Sequence, residues 1–415
     1  MKAPSAAAPK RAKSVSPGAK LVLGFVGVGG MGNASLSEFV KQPDVEVAAL
    51  CDVDADHLAS TRKALEGFRP GAAVELYTDF RRVLERRDID AIVCSTPDHW
   101  HALVALHAFA AGKDVYGEKP LSHTYAEGRA MLHACRRHGR IFQLGTQIHG
   151  LENYHRVVEI VRSGVLGEIR EVNLWLNGGS PHIEAIPDAD PPAALDWDLW
   201  LGPAPRRSYN ANRCHRLFRH FWDYSGGTYS DFWCHIADLM YWALDLRDAP
   251  VHIRTAGARP ATGMAETPGW IDVDYQYPRL HVTWTSRTPT FPGAARRHIG
   301  ARFVGSEGTL VSDYTSRVIF LDGKELNDVP EVPRTLPRSP GHHRNFLDSV
   351  KSRVPASSNL DYAFPLTTPM YLACIAHRLG RPLQWDAAAE QFVADPEATA
   401  RLRKRHRRPW TLPRY

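Results

Sequence analysis

The chain of 415 residues has no run of 18 apolar residues, which excludes a membrane-spanning helix of ordinary length. It has only six cysteines and no Cys-x-x-Cys pair, so neither a disulfide framework nor a zinc-finger spacing is present. Cys51, Cys94 and Cys374 sit singly among apolar neighbours and read as core residues of a reducing compartment. No internal repeat is visible. Acid is missing from two stretches, residues 1–20 and 401–409, which carry five and six Lys/Arg respectively. The net charge of +6 therefore lives in the two ends, and the body between them is mildly acidic. The expectation is two solvated basic ends and no nucleic-acid partner.

What is present is an ordinary globular composition, 44% hydrophobic and 23% charged, in a chain long enough for more than one domain. The first 19 residues are mostly Ala, Ser, Pro, Gly and Lys without apolar periodicity, and are expected to be a disordered basic tail. Leu21 to Val28 is apolar after basic residues, but it is short, ends in glycines, and lacks both a cleavage site and a preceding Arg pair. It reads as a buried strand rather than an export signal, and a cytoplasmic location follows as the expectation.

Between residues 20 and 145 apolar strands alternate with amphipathic helices. Six strands with five helical crossovers give a doubly wound parallel sheet. From 146 to 345 short strands follow one another without crossovers, interrupted by helices near Asn153–Ser163 and Asp231–Leu244. That pattern predicts an α+β domain on a large, mainly antiparallel sheet. Residues 346–415 are expected to supply closing helices, at Asn345–Ser352 and Pro369–Leu379, and the basic tail.

Gly27-Val28-Gly29-Gly30-Met31-Gly32 is a G-x-G-x-x-G run between a strand and a helix. The first glycine allows the turn, the second admits a pyrophosphate to the backbone, and the third lets helix and strand pack closely. Free N–H groups at the helix start then meet the phosphates. Asp52 lies twenty residues beyond Gly32 at the end of the next strand. A carboxylate there suits the hydroxyls of an adenosine ribose and repels a 2′-phosphate, which favours NAD over NADP. The spacing thus makes the first domain a Rossmann domain.

Three stretches carry candidate chemistry. Glu118-Lys119-Pro120 follows the fifth strand, where residues face the ligand crevice. Lys119 there either polarises a substrate oxygen or is a solvated lysine; spacing alone leaves both open. Asp231 and His235 are four apart on one face of a helix that is otherwise apolar, and Asp238 continues the stripe. Polar groups on a buried helix are costly unless satisfied or facing a cavity. Asp98, His99 and His101 invite a metal, but no further ligand cluster at recognisable spacing joins them, and no metal is expected. His101 opens a helix after the fourth strand and is instead assigned to the dinucleotide. His342-His343 is a helix cap or a substrate contact.

These residues together resemble the glucose–fructose oxidoreductase/inositol dehydrogenase/MocA family. The likeness rests on Gly27–Gly32, Asp52, Ser95-Thr96-Pro97 with His101, Gly117-Glu118-Lys119-Pro120 and Asp231-x-x-x-His235. Gly145-Thr-Gln-Ile-His149, Arg219-His-Phe-Trp-Asp-Tyr224 and Gly341-His-His-Arg-Asn-Phe346 are similar to a bacterial branch, many of whose members carry an export signal. The resemblance implies oxidation of a sugar, polyol or glycoside hydroxyl with NAD. It implies His235 as general base or acid, Asp231 as substrate holder and Lys119 as an aid to proton transfer. Gly27, Gly29, Gly30, Met31, Gly32, Asp52, Ser95, Thr96, Pro97, His101, Glu118 and Lys119 would bind cofactor. Gln147, His149, Tyr154, Trp222 and Asp223 would join Asp231 and His235 around the substrate. An open second sheet would mediate a homodimer or homotetramer. One rival is a glycosidase or lyase that retains NAD and oxidises a sugar carbon only transiently. Another is a binding protein without catalysis.

Overall fold

The computed structural model describes residues 18–295 and 297–413; the basic stretch assigned to the first 19 residues lies almost wholly outside them. The first domain holds strands β1 (Leu21–Val26), β2 (Val45–Cys51), β3 (Glu75–Tyr77), β4 (Ala91–Cys94), β5 (Asp114–Gly117) and β6 (Phe142–Leu144). Helices α1 (Gly30–Phe39), α2 (Ala55–Phe68), α3 (Phe80–Glu85), α4 (Asp98–Ala110) and α5 (Tyr125–His138) connect them. All pairings are parallel, in the order β3-β2-β1-β4-β5-β6. The order reverses between β1 and β4, and ligands of such sheets bind beyond the strand ends at that switch. β4 and β5 are buried at every position, as strands covered on both faces must be. Local chemistry sets the helix ends. Asp54 and Asp79 cap α2 and α3 through their carboxylates, and Gly139 ends α5 in the left-handed region.

The second domain begins with α6 (Glu152–Arg162) and β7 (Ile169–Leu176), followed by α7 (Trp197–Leu201) and the long α8 (Gly227–Leu244). Strands β8 (His252–Ala258), β9 (Trp270–Gln276), β10 (His281–Thr285), β11 (Ile299–Gly305), β12 (Gly308–Ser312), β13 (Arg317–Leu321) and β14 (Lys324–Leu326) come next. The chain closes with α9 (His342–Ser352), α10 (Leu360–Leu379), β15 (Leu383–Asp386), β16 (Gln391–Phe392) and α11 (Pro396–Ala400). The ten-stranded sheet runs β14-β13-β12-β11-β7-β10-β9-β8-β15-β16, and only β7 with β10 is parallel. Burial alternates along β9 and β10, so one face is covered and the other is not. α8 packs against the covered face, which brings its polar stripe to the junction with the first domain.

Two expectations are corrected here. α10 starts at Leu360, not Pro369, and runs through Pro365 and Pro369. Asn359 caps it, and the carbonyls near the prolines accept from side chains elsewhere: Trp233 Nε1 donates to Leu366 O at 2.7 Å and Tyr275 Oη to Pro369 O at 3.0 Å. These bonds tie the helix to α8 and β9, while the carbonyls that lose a helix donor to the two prolines are those of Asp361 and Pro365. The C-terminal basic run is also not simply solvated. Arg403, Arg405 and Arg408 are exposed, but Lys404 Nζ and His406 Nε2 meet buried Glu127 at 2.9 and 3.1 Å, and Arg407 pairs with Asp198. Although burial opposes its ionisation, Lys404 and His406 hold the Glu127 carboxyl well below the usual range. Trp410 then packs edge-on against Trp100, 4.7 Å between ring centres. Among the described residues no helix is long and apolar enough to cross a membrane.

Candidate functional site

A cavity of about 1280 Å³ opens at the switch point between β1 and β4. Gly27, Gly29, Gly30 and Met31 form one wall, Cys51, Asp52, Val53 and His57 a second, and Ser95, Thr96, Pro97 and Asp98 a third. Glu118, Lys119 and Asp231 border it together with Phe218 and Arg219.

The glycine run fits a dinucleotide. Gly27 has φ +80°, and a side chain there would press on the Ser95–Thr96 backbone at 2.7 Å. A Cβ on Gly32 would sit 2.0 Å from the Gly27 carbonyl oxygen, so this glycine sets the helix–strand approach and lies behind the cavity wall. A Cβ on Gly30 would meet nothing within 4 Å, because that face is the cavity. Gly29 caps α1 without a side-chain bond, which leaves the first N–H groups of the helix available to a phosphate. Asp52 is tied to this loop: Val28 N donates to its Oδ2 at 2.8 Å and Asp54 N to its Oδ1 at 3.0 Å. His57 Nδ1 also faces Oδ1, at 3.5 Å, so Oδ2 is the oxygen with a second lone pair for a ribose hydroxyl.

At the opposite end of the cavity, two domains meet. Lys119 leaves the end of β5 and Asp231 leaves the first turns of α8; Nζ and Oδ1 are 2.6 Å apart. Arg219 brings a second cation to the same oxygen, its Nε 3.1 Å away. Burial raises the Asp231 carboxyl, but Lys119 and Arg219 outweigh it and leave the group at about 2, a fixed anion at neutral pH. His235 lies one turn further along α8, partly exposed, with a ring nitrogen bonded to the Thr146 backbone. Burial first, then the Lys119 charge, lowers the imidazole to about 4, so it is neutral at physiological pH. The cavity wall reaches Asp231 and does not include His235.

Glu118 is nearly sealed from solvent, and neither of its carboxylate oxygens has a hydrogen-bond partner among the described residues. Burial pushes its carboxyl up to about 7, with the Lys119 charge pulling the other way. A carboxyl raised on folding contributes stability below its unfolded value near 4.5, lost as pH rises through about 7. Glu118→Gln should therefore gain stability over the wild type at pH ~8, by up to about 3 kcal/mol, with the gap closing towards pH ~5. Urea melts across that range measure it, and a gap independent of pH would refute the buried-acid description.

Several assigned residues are placed elsewhere. His101 is corrected from cofactor contact to latch: its Nδ1 is 2.7 Å from Pro120 O and its Nε2 2.8 Å from Thr96 O. It ties the two strand-end loops together, with both nitrogens taken. Like His235, five further residues assigned to the substrate do not border the cavity. His149 is buried against Asp238 at 2.8 Å and stacks on Trp242. Tyr154 is buried beside Tyr314. Trp222 donates its indole N–H to Glu266 O, and Asp223 pairs with Arg207. Gln147 has φ +62° in the turn after β6 and its side chain reaches Tyr116. Of the His342-His343 pair, His342 Nε2 contacts Leu144 O at 3.0 Å, and His343 stacks on Tyr116. The sequence reading named Arg219 only within a motif and missed its place beside Asp231. It also missed the convergence of Asp54, His57 and His215 within 4.8 Å, although Asp54-x-x-His57 is a legible spacing.

Comparison with known proteins matches residues 21–146 to a family described as "Oxidoreductase family, NAD-binding Rossmann fold". Residues 179–412 match its companion, "Oxidoreductase family, C-terminal alpha/beta domain". Over 162 residues the chain is 33% identical to a glycosyl hydrolase family 109 protein of Shewanella sp. strain ANA-3. That match covers 37% of this chain and only 35% of the relative. Aldose-aldose oxidoreductase from Caulobacter crescentus, solved with glycerol, superposes with TM-score 0.64 at 18% identity, over 88% of this chain and 100% of that one. WlbA dehydrogenase from Bordetella pertussis, solved with NADH and UDP-GlcNAcA, gives 0.64 at 17% identity, over 88% and 99%. At such identities the superpositions establish a shared fold.

Proposed function

The chain belongs to the glucose–fructose oxidoreductase/inositol dehydrogenase/MocA family of oxidoreductases, and on that premise we propose that it moves a hydride between NAD and a sugar, polyol or glycoside carbon. One observation carries the reading: Lys119 of the nucleotide domain and Asp231 of the sheet domain meet at 2.6 Å in the cavity that the glycine run enters. Gly27, Gly29, Gly30 and Met31 would hold the pyrophosphate and Asp52 the adenosine ribose, whose 2′-phosphate it would repel. Ser95, Thr96, Pro97 and Glu118 would flank the nicotinamide half. When bound, the cofactor supplies hydride chemistry that no side chain can perform.

The residues of the chain supply position and proton handling. The Lys119 ammonium faces the substrate oxygen and stabilises negative charge as its proton leaves. Asp231, anchored between Lys119 and Arg219, accepts a hydrogen bond from a neighbouring hydroxyl and fixes the ring. His235, uncharged at neutral pH, takes the hydroxyl proton. A homodimer or homotetramer built on the open face of the ten-stranded sheet, in the cytoplasm, completes this reading.

The glycosyl hydrolase relative favours a second reading, in which retained NAD would oxidise a sugar carbon transiently, the aglycone would leave by elimination, water would add to the resulting double bond, and the hydride would return to the carbon. Purified protein incubated with NAD+ and a panel of free sugars, polyols and aryl glycosides separates the two. Net reduced nicotinamide supports the dehydrogenase. Aglycone release without it supports the glycosidase. Neither product from any class of substrate would defeat both.

A further inference from the structure

At the adenosine side of the cavity three metal-ligating side chains converge from two distant segments. Asp54, His57 and His215 each place a ligand atom within 4.8 Å of the others, and His57 and His215 border the cavity. We propose that they form a site for a divalent cation of the zinc class, with an open coordination position towards the cavity. Two imidazoles and one carboxylate are a borderline donor set, suited to zinc and its first-row neighbours rather than to calcium or magnesium.

The geometry beneath these ligands is built. Asp54 is buried, and its Oδ1 accepts from Asp56 N at 2.8 Å as the cap of α2. That leaves Oδ2 turned to His215 Nε2 at 2.9 Å. His57 has its Nδ1 3.5 Å from Asp52 Oδ1, so a carboxylate stands behind the imidazole and Nε2 remains for a cation. Such a carboxylate–imidazole arrangement orients metal-binding histidines. The segment preceding α7 holds Asp54 from the other side, with Ala55 N donating to Ala194 O and Asp196 N to Val53 O. An Asp54–His215 ion pair alone accounts for one imidazole. Asp52 faces Nδ1 of the second, His57, but neither carboxylate engages its Nε2, and its ring centre is 4.4 Å from that of His215. A cation shared by both nitrogens and Oδ2 accounts for both imidazoles.

The test uses the full chain, purified without an affinity tag, stripped with a chelator, reloaded with zinc and desalted. Elemental analysis is expected to find one zinc per chain more in the wild type than in His57→Gln or His215→Asn. Cobalt(II) loading should give visible d–d absorption that both variants lose. Asp54→Asn keeps an oxygen for the helix cap and should retain the melting temperature while weakening zinc at least tenfold. Zinc content equal in the wild type and all three variants overturns the site. So does an Asp54→Asn chain that loses thermal stability and holds zinc as tightly as before, the behaviour of a plain ion pair.

Discussion

Lys119→Ala should lower kcat by about 10²–10⁴-fold and leave the affinity for NAD+ within a few-fold of the wild type. The separation follows from position. Lys119 lies at the end of β5, whereas the phosphate-binding N–H groups belong to the β1–α1 turn. Removing the ammonium takes one cation from Asp231 but leaves Arg219 at 3.1 Å, so the carboxylate is not stranded and the domain junction should survive. That matters, because a buried charge left without any partner costs about 3–5 kcal/mol, enough to mimic a catalytic defect by unfolding. Single-turnover rates with saturating NAD+, beside a melting curve, distinguish the two. His235→Ala should fall in the same range while binding NAD+ normally. Unchanged turnover in both variants would leave Lys119 and Asp231 as a structural ion pair between domains and remove the enzymatic reading with it.

The sequence brings Lys119 and His235 to one nicotinamide, whereas the structure pairs Lys119 with Asp231 at 2.6 Å and leaves His235, one turn along α8, outside the cavity wall. What was legible is that both segments face the crevice, because each signal is local. A lysine just past a parallel strand faces the crevice, and acids on an apolar helix must face something polar. The six-stranded sheet was legible for the same reason: β1 and β4 are apolar throughout, and glycines or aspartates mark the ends of α1, α2, α3 and α5. Partners set by tertiary approach were not legible. His101 looked like a ligand contact because its place at the start of α4 suits one, but Thr96 O and Pro120 O reach it first. His149 and Trp222 are polar or aromatic residues near the site in sequence whose hydrogen bonds run to Asp238 and Glu266 instead. The C-terminal arginines read as solvated because Glu127 and Asp198, which receive Lys404 and Arg407, lie far away along the chain. β14 and β16, of three and two residues, are too short to show a period, and they pair only because β13 and β15 present open edges.

Gly32→Ala should abolish measurable NAD+ binding, a loss of at least ~10²-fold, and lower the melting temperature as well. The new Cβ would stand 2.0 Å from the Gly27 carbonyl oxygen, and that obstacle is backbone, which cannot rotate aside. Gly27 is itself held at φ +80° against the Ser95–Thr96 backbone, so the loop has no slack on its far side. Relief requires α1 to move away from β1, which separates Leu36 and Phe39 from the core beneath them and lifts the Gly29 and Gly30 N–H groups off the phosphate position. Gly30→Ala is the informative contrast. Its Cβ meets no protein atom within 4 Å, so the free protein should melt like the wild type; Gly30 is an intervening position of the run that borders the cavity beside Gly29, and the added methyl narrows the space next to the pyrophosphate and should weaken NAD+. Titration of NAD+ against intrinsic fluorescence, with a thermal melt of each variant, reads both quantities. A Gly30→Ala protein with undiminished NAD+ affinity would mean that the dinucleotide does not lie across the β1–α1 turn, and the placement of Lys119 beside a nicotinamide would lose its basis.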